Sequence, residues 1–179
     1  MVRPSQRESA GVIPFIALSG RPPSLQSFDE RRKLSIMVDY LFGRGVARAL
    51  PKQDLRLVYS RRSGRAKLVF HGERLLATVK PNGAMALSLY GAELLAKSPK
   101  FQENCVTVAD ETAEFVHSGR SVFCKFVMSA GRNILPGSEV AVLDSKGNVL
   151  GVGTAILNGK VMKQFKSGAA VKIRAGRER

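Results

Sequence analysis

From residue 101 onward the chain alternates short apolar runs with turn sequences, and this pattern limits its fold more than any other feature does. One helix interrupts the runs, with Asp110 as its N-cap and Gly119 at its end. Five or six short strands fit into fewer than eighty residues. Since closing a sheet removes the exposed strand edges that promote aggregation, we expect a small closed β-barrel. The expected elements are strands at 106–108, 122–127, 139–143 and 149–157, a short helix at 161–165 and a last strand around Val171 and Ile173.

Residues 27–100 combine helical and strand periodicity. Apolar residues recur at spacings of three and four over 28–41, which predicts an amphipathic helix capped by Ser27. The expected elements after it are a short helix at 46–50, strands at 55–59, 66–70, 74–80 and 84–89, and a helix at 90–96. The predicted fold class is therefore α+β: an N-terminal α/β domain with an antiparallel sheet, a linker at 98–100, and then the β-barrel.

Residues 1–26 contain four prolines among Ser, Arg and Gly, which indicates an extended arm without a helix. The apolar stretch at 12–18 is interrupted by Pro14 and is far shorter than the roughly 20 residues that cross a bilayer. Glu8 interrupts the basic region that a secretory signal requires. We therefore expect three segments, 1–26, 27–100 and 101–179, in a soluble cytoplasmic protein without a membrane span.

Basic residues outnumber acidic ones, with 29 Lys and Arg against 14 Asp and Glu, for a net charge of +15. Hydrophobic residues make up 44% of the chain, so it can fold around a core and is not a disordered basic tail. Residues 27–100 hold 15 basic and 6 acidic residues, and this net +9 is the largest local excess. Such a charge permits DNA, RNA or an anionic membrane surface as a partner.

Residues that could catalyse a reaction are few. His71 and His117 lie outside the known metal-binding and nucleophile motifs, and a surface location is the simpler interpretation of both. Cys105 and Cys124 are too far apart for a C-x-x-C pair and lie in apolar contexts. The three carboxylates at 110–114 are typical of the first turns of a helix. We therefore expect no catalytic residue, no metal site and no cofactor.

Two glycine pairs match phosphate-binding loops only in part. Gly43 and Gly45 follow a helix instead of a strand, and Gly151 and Gly153 lack the third glycine of the dinucleotide motif. The simpler interpretation is a helix end for the first pair and close backbone approach within the barrel for the second.

Basic residues cluster at two places. Three arginines crowd the hairpin turn at 60–65, where they repel one another unless an anion lies between them. A solvated turn without a function is the alternative interpretation. In the barrel, basic residues flank Gly119 and recur near the last strand, and they form one patch if the first helix of the barrel lies beside that strand. The candidate anion-binding residues are Arg44, Arg61, Arg62, Arg65, Gly119, Arg120, Lys125, Lys166, Lys172 and Arg174.

Motifs in the second half of the chain resemble those of a PUA domain, a small RNA-binding pseudobarrel. These motifs are DETAEFVHSGRSVFCKFV at 110–127, LPGSEVAV at 135–142, GNVLGVG at 147–153 and FKSGAAVK at 165–172. The motifs DYLFGRG at 39–45, YSRRSGR at 59–65 and LLATVKPNG at 75–83 resemble the domain that precedes PUA in archaeal tRNA-guanine transglycosylases and their archaeosine synthase paralogues. The resemblance covers about residues 28–176.

The resemblance implies RNA binding without the catalysis of that family. Base exchange in the family belongs to a separate TIM barrel with catalytic aspartates and a zinc site, and such a barrel needs about 250 residues, more than the whole chain. The PUA domain of the family holds the acceptor stem of tRNA, which implies RNA contacts at the matching positions. These positions are Gly119, Arg120, Lys125, Lys172 and Arg174. Because the chain has no Trp and only three Tyr, we expect it to recognise duplex shape and phosphates instead of unpaired bases.

The leading hypothesis is a non-catalytic RNA-binding protein that serves tRNA modification as an accessory or targeting module, with tRNA as the main partner. The alternative is a docking subunit of a split tRNA-guanine transglycosylase or archaeosine synthase, whose stretch at 12–18 contacts a separately encoded tRNA-modifying enzyme. The third and least favoured hypothesis is an independent enzyme. It ranks last because no nucleophile lies beside a base in the sequence.

Overall fold

The structure, a computed structural model, describes residues 23–177, with side chains from Asp29 onward. The arm predicted at 1–26 therefore lies outside the described residues, apart from its last four. The other segments form an α+β fold, as predicted, in which a four-stranded antiparallel sheet with helices precedes a six-stranded barrel.

The first helix, α1, spans Pro23–Phe42 and begins five residues earlier than predicted. Proline is well tolerated in the first turn of a helix, where its missing N–H has no partner to lose. The prediction of Ser27 as the cap, and of no helix before it, was therefore wrong. Leu34 and Val38 point from α1 into the core, and Gly43, with a φ of 110°, ends the helix.

The four strands of the first sheet run in the order β1-β2-β3-β4, and each pair is antiparallel. Their bounds are Leu55–Tyr59 for β1, Ala66–His71 for β2, Arg74–Val79 for β3 and Met85–Leu87 for β4. The helix α1 lies along the free edge of β1, where the Glu30 carboxylate accepts a hydrogen bond of 3.1 Å from the Leu57 N–H. This contact protects an edge strand from pairing with other chains.

A short 3₁₀-helix, Val46–Ala49, and the helix α2, Leu89–Ala96, complete the first half of the fold. The linker predicted at 98–100 overlaps the start of a 3₁₀-helix, Pro99–Asn104, whose Phe101 is fully buried. The Phe101 ring meets the Phe42 ring edge-on, with the centroids 5.5 Å apart. The chain therefore passes between its two halves through packed structure.

The six strands of the barrel run in the order β6-β10-β9-β8-β5-β7. Their bounds are Cys105–Val108 for β5, Val122–Phe123 for β6, Val127–Ala130 for β7, Glu139–Leu143 for β8, Val149–Ala155 for β9 and Ala169–Gly176 for β10. The two outer strands, β6 and β7, follow each other directly in the chain and are joined by a 3₁₀-turn, Cys124–Phe126. This connection makes the barrel nearly closed, and it corrects the single strand predicted over 122–127.

Two helices of the barrel differ from the prediction. Asp110 is not the N-cap of α3, Ala113–His117, but the first residue of a preceding 3₁₀-turn that Ala109 caps. Its carboxylate instead accepts hydrogen bonds from the backbone N–H and the hydroxyl of Ser145, at 3.1 and 2.8 Å. The last helix, α4, spans Gly159–Met162 instead of 161–165, with the Asn158 side chain as its cap.

The first half and the barrel share part of their hydrophobic core. Four buried residues of β8 and β9 pack with the residues of α1, α2 and the first sheet. They are Ala141, Leu143, Val149 and Val152. A second cluster fills the barrel itself. Within 23–177, no helix has the combination of length and apolar character that a bilayer crossing requires.

Candidate nucleic-acid interface

The pairing of β6 with β10 determines which basic residues of the barrel lie close together. Phe123 pairs with Ala169 and Val122 with Val171 in antiparallel register, and the Cys124 N–H donates to the Gly168 carbonyl at 2.9 Å. Residues 120–125 therefore run beside residues 166–173. Four exposed cations occupy this pair of segments, and we call them the basic strip: Arg120, Lys125, Lys166 and Lys172.

Gly119 lies at the end of α3 in the left-handed conformation, with a φ of 80°, as its predicted role as a helix end requires. The N–H groups of Gly119 and Arg120 close the helix by donating to Val116 and Phe115, at 2.9 and 2.8 Å. The helix packs against β9 and β10. The first helix of the barrel thus lies beside its last strand, as a single basic patch requires.

Three exposed phenylalanines lie at or next to these segments: Phe115 on α3, Phe123 on β6 and Phe165 before Lys166. Between 45% and 50% of each residue is accessible, so the three rings are open to a partner. The Arg120 guanidinium lies 5.6 Å from the centroid of the Phe115 ring. The expectation of duplex recognition counted only Trp and Tyr, and these exposed phenylalanines are aromatic faces that the count left out. Their sequence signal was proximity to lysines, since Phe165 directly precedes Lys166 and Phe123 lies two residues before Lys125.

Arg174, predicted as an RNA contact, binds groups of its own chain. Its guanidinium forms an ion pair of 2.6 Å with Glu139 on β8 and donates to the Leu87 carbonyl on β4. The Glu139 carboxylate also accepts from the Leu87 N–H at 3.0 Å. These three residues join the first sheet to the barrel, and sequence reasoning did not identify this role.

The carboxyl of Glu139 is nearly inaccessible, and its Oε2 has no hydrogen-bond partner. Burial raises the pKa of Glu139 above its ordinary value, although the charge of Arg174 opposes the shift. The ion pair between Arg174 and Glu139 thus exists only while the buried Glu139 carboxyl is deprotonated.

The predicted arginines of the first domain lie apart from the basic strip in the fold. Arg61, Arg62 and Arg65 are exposed at the turn between β1 and β2. Two backbone hydrogen bonds of 2.8 Å close this turn: the Ser60 N–H donates to the Arg65 carbonyl, and the Gly64 N–H donates to the Ser60 carbonyl. Arg65 donates to the Pro81 carbonyl at 3.4 Å. Arg44 is exposed in the glycine turn after α1. Apart from Arg174, the predicted residues therefore form three groups, at the hairpin, at the strip with Gly119, and at the end of α1.

Groups with chemical reactivity are committed elsewhere or buried. The Nδ1 atom of His71 lies 2.6 Å from the Tyr90 hydroxyl. Both thiols are buried, and burial raises the pKa of Cys105 to about 12 and also raises that of Cys124. In the described part of the chain, no three metal-ligating side chains come together. The arrangement offers cations and aromatic rings for binding, but no activated nucleophile among these groups.

Comparison with protein families divides the chain at the same place as the fold. Residues 32–101 match the family described as patch-forming domain C2 of tRNA-guanine transglycosylase, and residues 104–177 match the PUA domain family. Among curated proteins, a tRNA-guanine(15) transglycosylase of Thermoplasma volcanium is 36% identical over 155 residues, which are 86% of this chain and 24% of that protein. The chain thus spans about a quarter of the length of the curated relatives it matches.

Two solved structures have the same fold. A hypothetical protein from Pyrococcus horikoshii OT3 superposes with a TM-score of 0.65 at 21% identity, over 84% of this chain and 91% of that one. A conserved PUA domain protein from Thermoplasma acidophilum superposes with a TM-score of 0.60 at 21% identity, over 83% and 89% of the two chains. The family matches identify residues 32–101 as a patch-forming C2 domain of tRNA-guanine transglycosylase and residues 104–177 as a PUA domain, and the two solved structures share the fold of the pair.

Proposed function

We propose that the protein binds structured RNA, with the acceptor stem of tRNA as its target, and acts as a non-catalytic module in tRNA modification. The observation that carries the proposal is the antiparallel register of β6 and β10, which places four exposed cations beside exposed phenylalanines. The names of the matching families and relatives support it, since they refer to a PUA domain and to an enzyme of tRNA.

The chemistry of this surface suits a nucleic acid. Lysine and arginine neutralise phosphates, and aromatic faces stack on bases that are not paired. Because Gly119 has no Cβ, its backbone can lie close to a phosphate or a sugar. The strip therefore combines phosphate contacts with sites for unpaired bases, so we propose that it binds a duplex next to a single-stranded segment and not a duplex alone.

The test is a titration of tRNA against the intact protein at several salt concentrations. If five to seven phosphates are neutralised, the slope of log K against log salt is roughly −4 to −6. Reversal of two charges, Arg120→Glu with Lys125→Glu, lowers the affinity strongly. Lys146→Glu is the matched control, since Lys146 is equally exposed but lies on the hairpin between β8 and β9. A slope near zero, or equal losses in both variants, contradicts the proposal.

A second candidate function is docking on a separately encoded catalytic chain. The chain matches only about a quarter of its relatives, and α1 exposes two large apolar side chains, Ile36 at 61% and Tyr40 at 87%. Co-purification from the native extract with and without nuclease separates the two functions. Retention of an enzyme partner after RNA digestion supports docking, and its loss supports RNA binding alone. If the protein docks on an enzyme partner through α1, Tyr40→Ser weakens the co-purification of that partner; if it does not, the substitution has no effect.

A further inference from the structure

An open pocket of about 370 Å³ lies where the first domain meets the barrel. Its wall comes from three segments: the glycine turn after α1, the 3₁₀-helix at Pro99–Asn104, and the loop after β7. The lining residues are Gly43, Arg44, Pro99, Lys100, Glu103 and Asn133. This volume is within the range of pockets that hold small ligands. Neither the family matches nor the proposed interface on the barrel accounts for it.

One side of the pocket is cationic and held in place by backbone contacts. Gly43 and Gly45 have φ values of 110° and 93°, which only glycine adopts easily, and Arg44 lies between them. The Lys100 ammonium donates to the Arg44 carbonyl at 3.2 Å, so it lies against the turn. Because an ammonium has three donors, two of them are left for a ligand. Arg44 and Lys100 both line the pocket, and two cations at one side of it suit a phosphate.

The other side of the pocket offers a carboxylate and an amide. Glu103 Oε2 accepts from the Arg132 N–H at 3.0 Å, and the Asn133 N–H donates to the Glu103 carbonyl at 3.0 Å. Gly131 packs so closely that a Cβ there would lie 2.2 Å from the Glu103 carbonyl oxygen. Asn133 Nδ2 would lie 3.5 Å from a Cβ on Gly43, so its side chain reaches across to the glycine turn. The loop therefore fixes both polar groups in position.

The buried Asn104 connects the segments behind the pocket. Its side-chain amide donates to the Phe42 carbonyl at the end of α1, at 2.6 Å. The end of α1 and the 3₁₀-helix are thus tied together, and the cationic and carboxylate sides face the same space without rearrangement. Preorganisation of this kind lowers the entropy lost on binding.

The two sides together define a ligand. A carboxylate only accepts hydrogen bonds, so Glu103 suits a ligand that brings a donor, and amino groups of bases are donors that acidic side chains recognise. We propose that this pocket binds one nucleotide whose base carries an exocyclic amino group, with the phosphate at Arg44 and Lys100 and the amino group at Glu103. Uracil has a carbonyl where cytosine has that amine, so the pocket discriminates between them.

The experiment compares CMP with UMP on the intact chain, by following the amide signals of Gly43 and Gly45 in ¹H–¹⁵N NMR spectra. We expect CMP to bind about tenfold more tightly than UMP, the ratio for one well-placed base contact. Cytidine is the probe without phosphate, and we expect it to bind more weakly than CMP. Equal binding of CMP and UMP, or no shift of the two glycine signals with either nucleotide, overturns the proposal.

Variants assign the two ends of the ligand. Glu103→Gln keeps an oxygen for the Arg132 N–H but adds a donor, and we expect the preference for CMP over UMP to fall below about twofold. Lys100→Met and Arg44→Met each weaken CMP binding and leave cytidine binding unchanged. Lys146→Met is the control and changes neither. A melting curve shows that each variant is folded, and a preference for CMP that survives in Glu103→Gln contradicts the assignment of the base.

The source of the nucleotide follows from a competition with RNA. If saturating CMP weakens tRNA binding, the pocket holds a nucleotide of the bound RNA, and if it does not, the pocket holds a free nucleotide. Because the CMP titration contains no RNA, its result is independent of the interface on the barrel. A failure of the pocket and a failure of RNA binding are therefore distinguishable.

Discussion

Lys172 and Arg174 are two residues apart on β10, and both are cations, but their surroundings differ. Lys172 is exposed, while Arg174 binds the buried carboxylate of Glu139 and the Leu87 carbonyl. The alternation of the strand shows that both point away from the barrel core. It does not show that Glu139 and Leu87 contact Arg174 and not Lys172, because these two residues are 35 and 87 positions away from Arg174 in the chain. A long-range ion pair of this kind has no signal in a single sequence.

Replacement of these two cations separates stability from binding. Arg174→Met leaves Glu139 buried without its partner, and we expect the free energy of unfolding to fall by about 2–3 kcal/mol, since Arg174 itself is partly exposed. The melting temperature then falls by about 5–10 °C. Lys172→Met changes stability by less than about 0.5 kcal/mol and instead weakens tRNA binding. Thermal unfolding and a binding titration of both variants measure the difference, and the reverse pattern refutes the assignment.

The protonation of Glu139 makes stability depend on pH. Because burial raises the pKa of Glu139 in the folded protein, the folded state binds this proton more tightly than the unfolded state does. The contribution of Glu139 is therefore complete below its unfolded pKa and is lost as the pH rises through its folded pKa. We expect wild type to lose stability relative to Glu139→Gln between acidic and neutral pH. Denaturant unfolding of both proteins across that range tests this, and a difference that is constant with pH contradicts it.

At the scale of the elements, periodicity predicted the strands of the first sheet well. It predicted residues 122–127 of the barrel poorly. The sequence predicts strands over 55–59, 66–70 and 74–80, and the structure has them at 55–59, 66–71 and 74–79. Residues 122–127 alternate as well, but they lie where the barrel closes. A 3₁₀-turn is needed there to carry the chain from β6 to β7. Closure of a barrel is a long-range requirement, and local alternation does not reveal it.

The hairpin between β1 and β2 makes a prediction of its own. Arg62 is exposed at its tip, and we expect it to neutralise one phosphate of the bound RNA. Arg62→Gln then makes the slope of log K against log salt less steep by about 1 and lowers the affinity several-fold at low salt. Lys146→Gln, on the hairpin of the barrel, changes neither quantity. Titrations of RNA against the two variants at several salt concentrations measure these slopes. An unchanged slope in Arg62→Gln shows that the hairpin lies away from the RNA.

At the scale of the whole molecule, the shared core is the feature that domain boundaries in the sequence do not show. The first family match ends at 101 and the second begins at 104, and the linker predicted at 98–100 divides the chain in nearly the same place. Yet Leu143 and Val149 of the barrel pack with residues of the first domain. Composition marks the break in pattern between the two halves, but not the contacts across it.

This shared core predicts that the barrel is unstable by itself. A fragment of residues 101–177 exposes Leu143, Val149 and Val152, and we expect a loss of about 5 kcal/mol relative to residues 23–177, a large part of the stability of a typical domain. The fragment then melts at least 10 °C lower. Circular dichroism melts of the two proteins measure this. A fragment that is as stable as residues 23–177 shows that the contacts across the junction contribute little.

If the protein binds RNA as proposed, the same junction also determines how the RNA is selected. A flexible tether would let the hairpin and the barrel bind RNA in turn, each with its own affinity. A packed junction instead holds the two cationic surfaces at one separation, so the second contact forms at high effective concentration only on an RNA whose phosphates have matching spacing. Such a protein measures distance along its target, and RNAs that are too short lose the avidity of both contacts at once.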